Sequence, residues 1–484
     1  MRLTEFVRGG RFRDKLESFF MGIWYPVTTA LLVLLEHLFG IEVYLGSLNV
    51  LLASLSLIVC SSTLPIFTFV STFVFQISLK NSPAIPNESD YLVTGARPFL
   101  IFVLGAIFVG AIAYFCIKRR IFSKITFSTP MLLPLLVLSL GFSLNGAFSS
   151  EWSVANLAFG LCEAVCYFAL FMLLYLGICE DNTDLIISRF IFSSAMVASV
   201  MIAEVIACYV TRYDGTKESM LFGWGVWNTA GISLAMLIPV FFLGFYRLTE
   251  RKNKLGTIYL ALAVLTYVAA ALTQSRNALL FGSLALIFAL VILSVVGRYR
   301  AVFRAVLLVG AVLVSISALV LWDRLYPILE SFFSDNGRFE LWRSGFDNFL
   351  KSPIFGRGFY GISFTEESFF TAGFLPTMAH NTVIQLLGAM GIVGLVCYAY
   401  YRYASVIPFV KNPTVEKSMM GISILVLLLE SLLDNFVFYF IPVLQYTVTL
   451  ATVFAIHGRE SSSPSSDNGD AAEHSDIDEP RCAL

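Results

Sequence analysis

Apolar runs close to twenty residues recur along nearly the whole chain. They fall at approximately 19–40, 41–60, 62–79, 96–117, 130–148, 154–178, 185–210, 222–246, 256–273, 277–297, 303–321, 379–403, 417–434 and 436–457. Each is long enough to cross a bilayer core about 30 Å thick. A soluble chain would carry roughly a quarter charged residues, whereas this one has 13% charged, 57% hydrophobic and a mean hydropathy of +0.80. In lipid, a helix satisfies its own backbone polar groups. The expected fold is therefore an all-α polytopic membrane protein with about 12–14 transmembrane helices.

Charge sets the expected orientation. With the N-terminus in the cytoplasm, the inside segments collect Arg2, Arg8, Arg11, Arg13 and Lys15, then Lys118, Arg119, Arg120 and Lys124. Arg247, Arg251, Lys252 and Lys254 follow, then Arg298, Arg300 and Arg304, and last Arg402, Lys411 and Lys417. The short outside segments hold only Lys80, Arg97, Arg212, Lys217 and Arg276. Positive residues prefer the cytoplasmic side, which puts both termini inside. The basic start runs into a span and not into a small-residue cleavage site, so no cleaved signal peptide is expected. A net charge of −1 gives no reason to expect a nucleic-acid partner.

The expected organisation is a cytoplasmic N-terminus (1–18), an N-terminal transmembrane bundle (19–321), a large extracytoplasmic loop (322–378), C-terminal transmembrane helices (379–457) and an acidic cytoplasmic tail (458–484). The tail is polar and acidic, as expected of disorder. Its Asp476-Ile477-Asp478 reads as a solvated acidic run and not as a metal–nucleotide motif. Seven of the cysteines lie in or beside spans, where cysteine packs as a small hydrophobe. Cys482 stands third from the end, one place short of a prenylation box.

A long loop between compact elements is usually functional or disordered, and the one at 322–378 is too aromatic for disorder. Within GRFELWRSGFDNFLKSP, the residues Phe339, Trp342, Phe346, Phe349 and Leu350 share a helical stripe. This predicts an amphipathic helix lying on the outer membrane face or capping the bundle. The following PIFGRGFYG offers Gly356, Gly358 and Gly361 for tight turns.

Several polar residues are predicted to gather at the outer face. His380 and Asn381 open the span at 379, Arg276 sits at a turn between two spans, Arg338 and Arg343 lie in the long loop, and Arg212 closes another outside connection. The carboxylates Glu36, Glu163, Glu204, Glu430 and Asp434 also fall in outer halves of spans. Charges at membrane depth normally face partners or a water-filled cavity. Guanidinium groups suit phosphate oxygens, so arginines here could clamp the diphosphate of a lipid carrier. A histidine beside them could take a proton from a sugar hydroxyl. Such chemistry needs no metal and no nucleotide cofactor. Plainer roles are available for each residue. Asn381 or Thr377 could cap a helix, Arg276 could anchor a span at headgroups, Arg343 could decorate a surface helix, and the carboxylates could be structural pairs. His37, beside Glu36, has no loop motif around it and ranks below His380.

The chain resembles the O-antigen ligase and polysaccharide polymerase family of bacterial membrane glycosyltransferases. The resemblance is carried by GWGVWNTAGISLAMLIP (223–239), LTQSRNALL (272–280), GRFELWRSGFDNFLKSPIFGRGFYG (337–361) and AHNTVIQLLGAMGIVGL (379–395), in the family's order. It covers about 223 to 400 and does not speak for the N-terminal spans. It implies Arg276 as a contact to the carrier diphosphate, Arg338 (followed by Trp342) as the loop arginine, and His380 as the residue activating the acceptor. Arg212 is a weaker match to an earlier external arginine. The implied donor is an undecaprenyl-diphosphate-linked glycan, and the implied reaction is metal-independent with inversion at the anomeric carbon. The acceptor would be a glycan or glycolipid, as in lipopolysaccharide or exopolysaccharide biosynthesis in a bacterial inner membrane. A transporter or flippase of lipid-linked sugars is the alternative class, although such carriers usually show related halves or broken midplane helices.

Overall fold

In the computed structural model, residues 10–72, 97–211, 213–215, 227–320, 326, 337–362, 379–435, 438 and 440–462 are described. Helices α1 (Gly10–Met21), α2 (Trp24–Phe39), α3 (Glu42–Val59), α4 (Ile66–Ser71), α5 (Arg97–Lys118), α6 (Ile121–Lys124), α7 (Leu132–Phe148), α8 (Val154–Ile178) and α9 (Thr183–Thr211) form the first part. Helices α10 (Trp227–Glu250), α11 (Gly256–Leu272), α12 (Arg276–Val295), α13 (Arg300–Val320), α14 (Arg338–Lys351), α15 (Thr382–Val410), α16 (Val415–Glu430) and α17 (Phe440–Ser462) complete it. No strand occurs among the described residues. The chain is an all-α, multi-pass membrane protein: six described helices are long and apolar enough to cross a membrane, or seven if a bent pair counts as one.

Each expected span except 62–79 overlaps a helix of 16 residues or more. That run yields only the short α4, and residues 73–79 lie outside the described set. The first span is also shorter than its apolar run, because a 64° bend separates the basic helix α1 from α2. A helix that carries Arg13 and Lys15 and then turns sharply is suited to the membrane surface.

Several of the charged residues expected on one side meet at one end of the bundle. Lys118 Nζ donates to the carbonyls of Ile58, Val59 and Cys60 at the end of α3. Arg119 and Lys124 pair with Glu180, Arg247 and Arg251 with Asp184, and Lys417 with Glu460. Arg402 is not among these pairs. Arg402 lies inside α15, over the rings of Tyr398, Tyr401 and Tyr446 at 4.6, 5.0 and 4.9 Å. The ring faces attract the guanidinium within the bundle, so a residue read as a loop charge belongs to a span. At the centre, α10 is buried along almost its whole length, packed by α9, α11, α12 and α16.

Candidate functional site

At the opposite end, two connections interlock to shape a polar mouth. The turn before α15 and the turn after α16 exchange backbone bonds, with Thr382 N donating to Ser431 O at 2.9 Å. Gln385, fully buried, accepts from Ala379 N at 2.7 Å and from Asn435 Nδ2 at 3.2 Å. Asn381 is the N-cap of α15: its side-chain oxygen accepts from Val383 N (2.9 Å) and Ile384 N (3.1 Å), and its amide donates to Leu432 O. The capping role weighed from sequence is therefore the one its geometry supports. The alternative cap Thr377 lies outside the described residues.

His380, just before that cap, has a left-handed backbone with φ 50°. Its Nδ1 lies 3.0 Å from Asp434 Oδ1. A carboxylate only accepts, so Nδ1 is the protonated nitrogen and Nε2 carries the free lone pair. The histidine side chain is 41% exposed while Asp434 is 4% exposed, which makes the pair a reachable imidazole backed by a buried carboxylate. Asp434 is itself oriented by the Asn435 N–H at 2.7 Å. The Asp434 hydrogen bond, aided by its charge, raises the His380 pKa above its ordinary value, against burial and the nearby Arg338 cation.

Arg338, first residue of α14, acts electrostatically on both His380 and the buried Glu430. Asn277 faces the same Glu430 carboxyl, and its neighbour Arg276 is the first residue of α12, after the N-cap Ser275. His380 thus pairs with Asp434, Arg338 acts on His380 and Glu430 through space, and Arg276 adjoins Asn277 in sequence. Trp342 lies on α14 edge-on to Phe339, with its indole N–H buried and without a hydrogen-bond partner among the described residues. Arg343 is exposed, in keeping with the plainer role considered for it. Arg212 lies outside the described residues. Among the described residues no group of three or more His, Cys, Asp or Glu is arranged to hold a metal ion.

The family model for O-antigen ligases matches residues 260–399, from α11 into α15. This region is similar to O-antigen ligases. No curated protein matches the chain. The match spans Arg276, Arg338 and His380 but stops before Asp434 and Glu430. The protein is accordingly a multi-pass membrane protein that carries a region similar to O-antigen ligases.

Of the aromatic stripe of α14, Phe339, Phe346 and Leu350 are exposed and Trp342 and Phe349 half-buried, whereas Gly345 and Asn348 are buried. Small residues let helices approach closely in lipid, and the carbonyl of Gly345 comes within 3.1 Å of where a side chain on Gly388 would start. Residue 345 lies against 384 and 388, and 348 against 388, so α14 runs beside α15 in the same direction.

Sequence reasoning named Asp434 and Glu430 only as carboxylates of an outer half. The partnership of Asp434 with His380 has no local signal, because the two are brought together only by the docking of α16 on α15.

Proposed function

We propose that the protein transfers or polymerises polyprenyl-diphosphate-linked oligosaccharide units onto an acceptor sugar hydroxyl at the extracytoplasmic face of a bacterial inner membrane. Undecaprenyl diphosphate is the carrier that the family likeness suggests. The observation that carries this reading is the His380–Asp434 pair at 3.0 Å, with Arg338 acting on it from the long loop. The basic residues paired at the other end of the bundle support an orientation in which that end is cytoplasmic and this mouth is external.

In this reading the acceptor hydroxyl attacks the anomeric carbon and its proton passes to His380 Nε2. The bond from that carbon to the diphosphate oxygen breaks, and the electron pair leaves with the diphosphate. Arg276 and Arg338 stabilise the departing charge, and attack opposite the leaving group inverts the centre. Asp434 holds Nδ1–H and stabilises the imidazolium as it forms. Trp342, Asn381, Arg343 and Arg212 remain candidates for substrate contact. The O-antigen ligase match weighs against the carrier alternative.

The test is purified protein in lipid with a synthetic polyprenyl-diphosphate oligosaccharide as donor, with itself or a core glycolipid as acceptor. Wild type yields longer glycans and His380→Ala yields none. Full activity in His380→Ala would remove His380 from the mechanism.

A further inference from the structure

The apolar run of α15 hides a break. Gly391 has φ 63° and ψ −160° in the middle of what is otherwise one helix. It lies nine residues from Thr382, which at 1.5 Å per residue is roughly 13 Å along the helix. Backbone groups freed at such depth need partners within the protein. Here they come from the loop that follows α14. Ile392 N donates to Pro353 O at 2.9 Å and Val393 N to Ile354 O at 3.2 Å. In return, Arg357 N donates to Gly388 O and Gly358 N to Ala389 O, both at 2.9 Å. A side chain on Gly356 would collide with the backbone of Ala389, and one on Gly391 with the carbonyl of Ile354. The residues 353–358 therefore stand in for the missing turn of α15.

A third element closes the junction. Asn145, near the end of α7 and 1% exposed, donates through Nδ2 to Phe355 O at 2.8 Å and also to Ala389 O. One amide thus ties the loop and the broken helix to α7. Above it, Arg357 donates to Asn348 of α14 at 2.6 Å and to Glu151 at 2.7 Å. Asn156 accepts from Tyr360 N at 2.7 Å.

We propose that this interlock, with Asn145 as its positioning residue, sets the height of α14 against α15 and so the placement of Arg338 over His380. The proposal rests on the glycosyl-transfer reading for its consequence. Asn145 touches neither His380 nor Arg338; it acts through two carbonyls that belong to the helix of one and the loop of the other. A shift of one helix past its neighbour would move a charge-stabilising arginine away from the forming diphosphate, and displacements near 1 Å can cost about a hundredfold in rate.

The experiment uses Asn145→Ala in the full chain, with Asn145→Ser as a second variant that keeps a donor too short to bridge both carbonyls. The expected result is a kcat lower by about a hundredfold, with the donor KM within about threefold, since arginines misplaced for the departing charge weaken transition-state more than ground-state binding. Each variant is also made with Gly345→Cys and Ile384→Cys. A Cβ on Gly345 would stand 3.8 Å from that of Ile384, which suits a disulfide, and the isoleucine methyl it would strike is gone. Oxidising this pair clamps α14 to α15, and it should restore at least tenfold of the lost kcat. An unchanged kcat, or a loss that the formed disulfide does not restore, overturns the proposal.

If wild type transfers no glycan from any lipid-diphosphate donor, the functional reading fails by itself. The oxidation rate of the cysteine pair then decides the interlock: slower oxidation with Asn145→Ala upholds it, and an equal rate refutes it.

Discussion

Replacing Asp434 with asparagine isolates what the buried carboxylate does for His380. The side chain keeps its shape, but its amide can donate to Nδ1 and hold the proton on Nε2, the nitrogen that must accept it. The bond at risk is charge-assisted, 3.0 Å long, with its acceptor 4% exposed. Such bonds contribute about 1.5–3 kcal/mol. If that stabilisation is realised as the imidazolium forms, its loss slows transfer by roughly ten- to a hundredfold. The pH dependence should move as well. Asp434 is the main cause of the raised His380 pKa, and a base acts in its neutral form, so kcat/KM in the wild type rises as pH climbs through that raised value. In Asp434→Asn the acidic limb should move to lower pH while the plateau falls. The variant would thus hold more neutral histidine and still be slower. The assay is initial-rate transfer from a lipid-diphosphate donor between pH 5 and 9, with detergent-solubilised folding checked in parallel. A plateau equal to that of the wild type would refute the role given to Asp434. Stability runs the other way: protonated His380 against Asp434 stabilises the fold below the histidine's ordinary pKa of about 6.5, and this is lost as pH rises through the raised value.

Two further outcomes are expected. Arg276→Lys should be nearly as damaging to transfer as Arg276→Ala, within roughly threefold, because a lysine lacks the planar fork; rescue by lysine in a rate assay would mean that charge alone suffices. Gly356→Ala should destabilise the protein more than Gly345→Ala. The first sets a Cβ on backbone at φ 70°, adding about 1–2 kcal/mol of left-handed strain to about 1–3 kcal/mol of overpacking. The second meets only a methyl of Ile384. Apparent melting temperatures in detergent, compared under one condition, would check the order, and the reverse order would contradict the close contact of the loop with α15.

What the sequence could tell depended on whether a property is local. The spans are local, because each needs only its own apolar residues, and all but one reappear as helices at nearly the expected bounds. The candidate residues His380, Asn381 and Arg276 were conspicuous in the sequence, because they stand beside span ends, where a polar group stands out against its neighbours. The partner of His380 was not. Asp434 is 54 positions away, and only the docking of α16 on α15 makes it that partner. Arg402 misled for a related reason. A hydropathy window registers a guanidinium as the end of a span, whereas three tyrosine rings converging from α15 and α17 hold it within one.

The break at Gly391 is the harder case, and it bears on the site directly. GAMGIVGLV reads as uninterrupted helix by composition, since glycine is common in membrane helices and nothing polar marks the place. What makes the break tolerable lies elsewhere in the chain: the carbonyls of Pro353 and Ile354 accept the N–H groups that the helix cannot pair, and Asn145 secures the exchange. Loop and helix therefore need one another, because an unbroken α15 would leave the loop's own donors at Arg357 and Gly358 without the carbonyls they use. The aromatic stripe on α14 follows from the same arrangement. With the loop held against α15, α14 packs beside it through Gly345 and Asn348, and Phe339 and Phe346 stay exposed. The amphipathic pattern identified the helix and left both the outer membrane face and the bundle open as surroundings of its apolar face. In a membrane, that face is as well served by acyl chains as by protein.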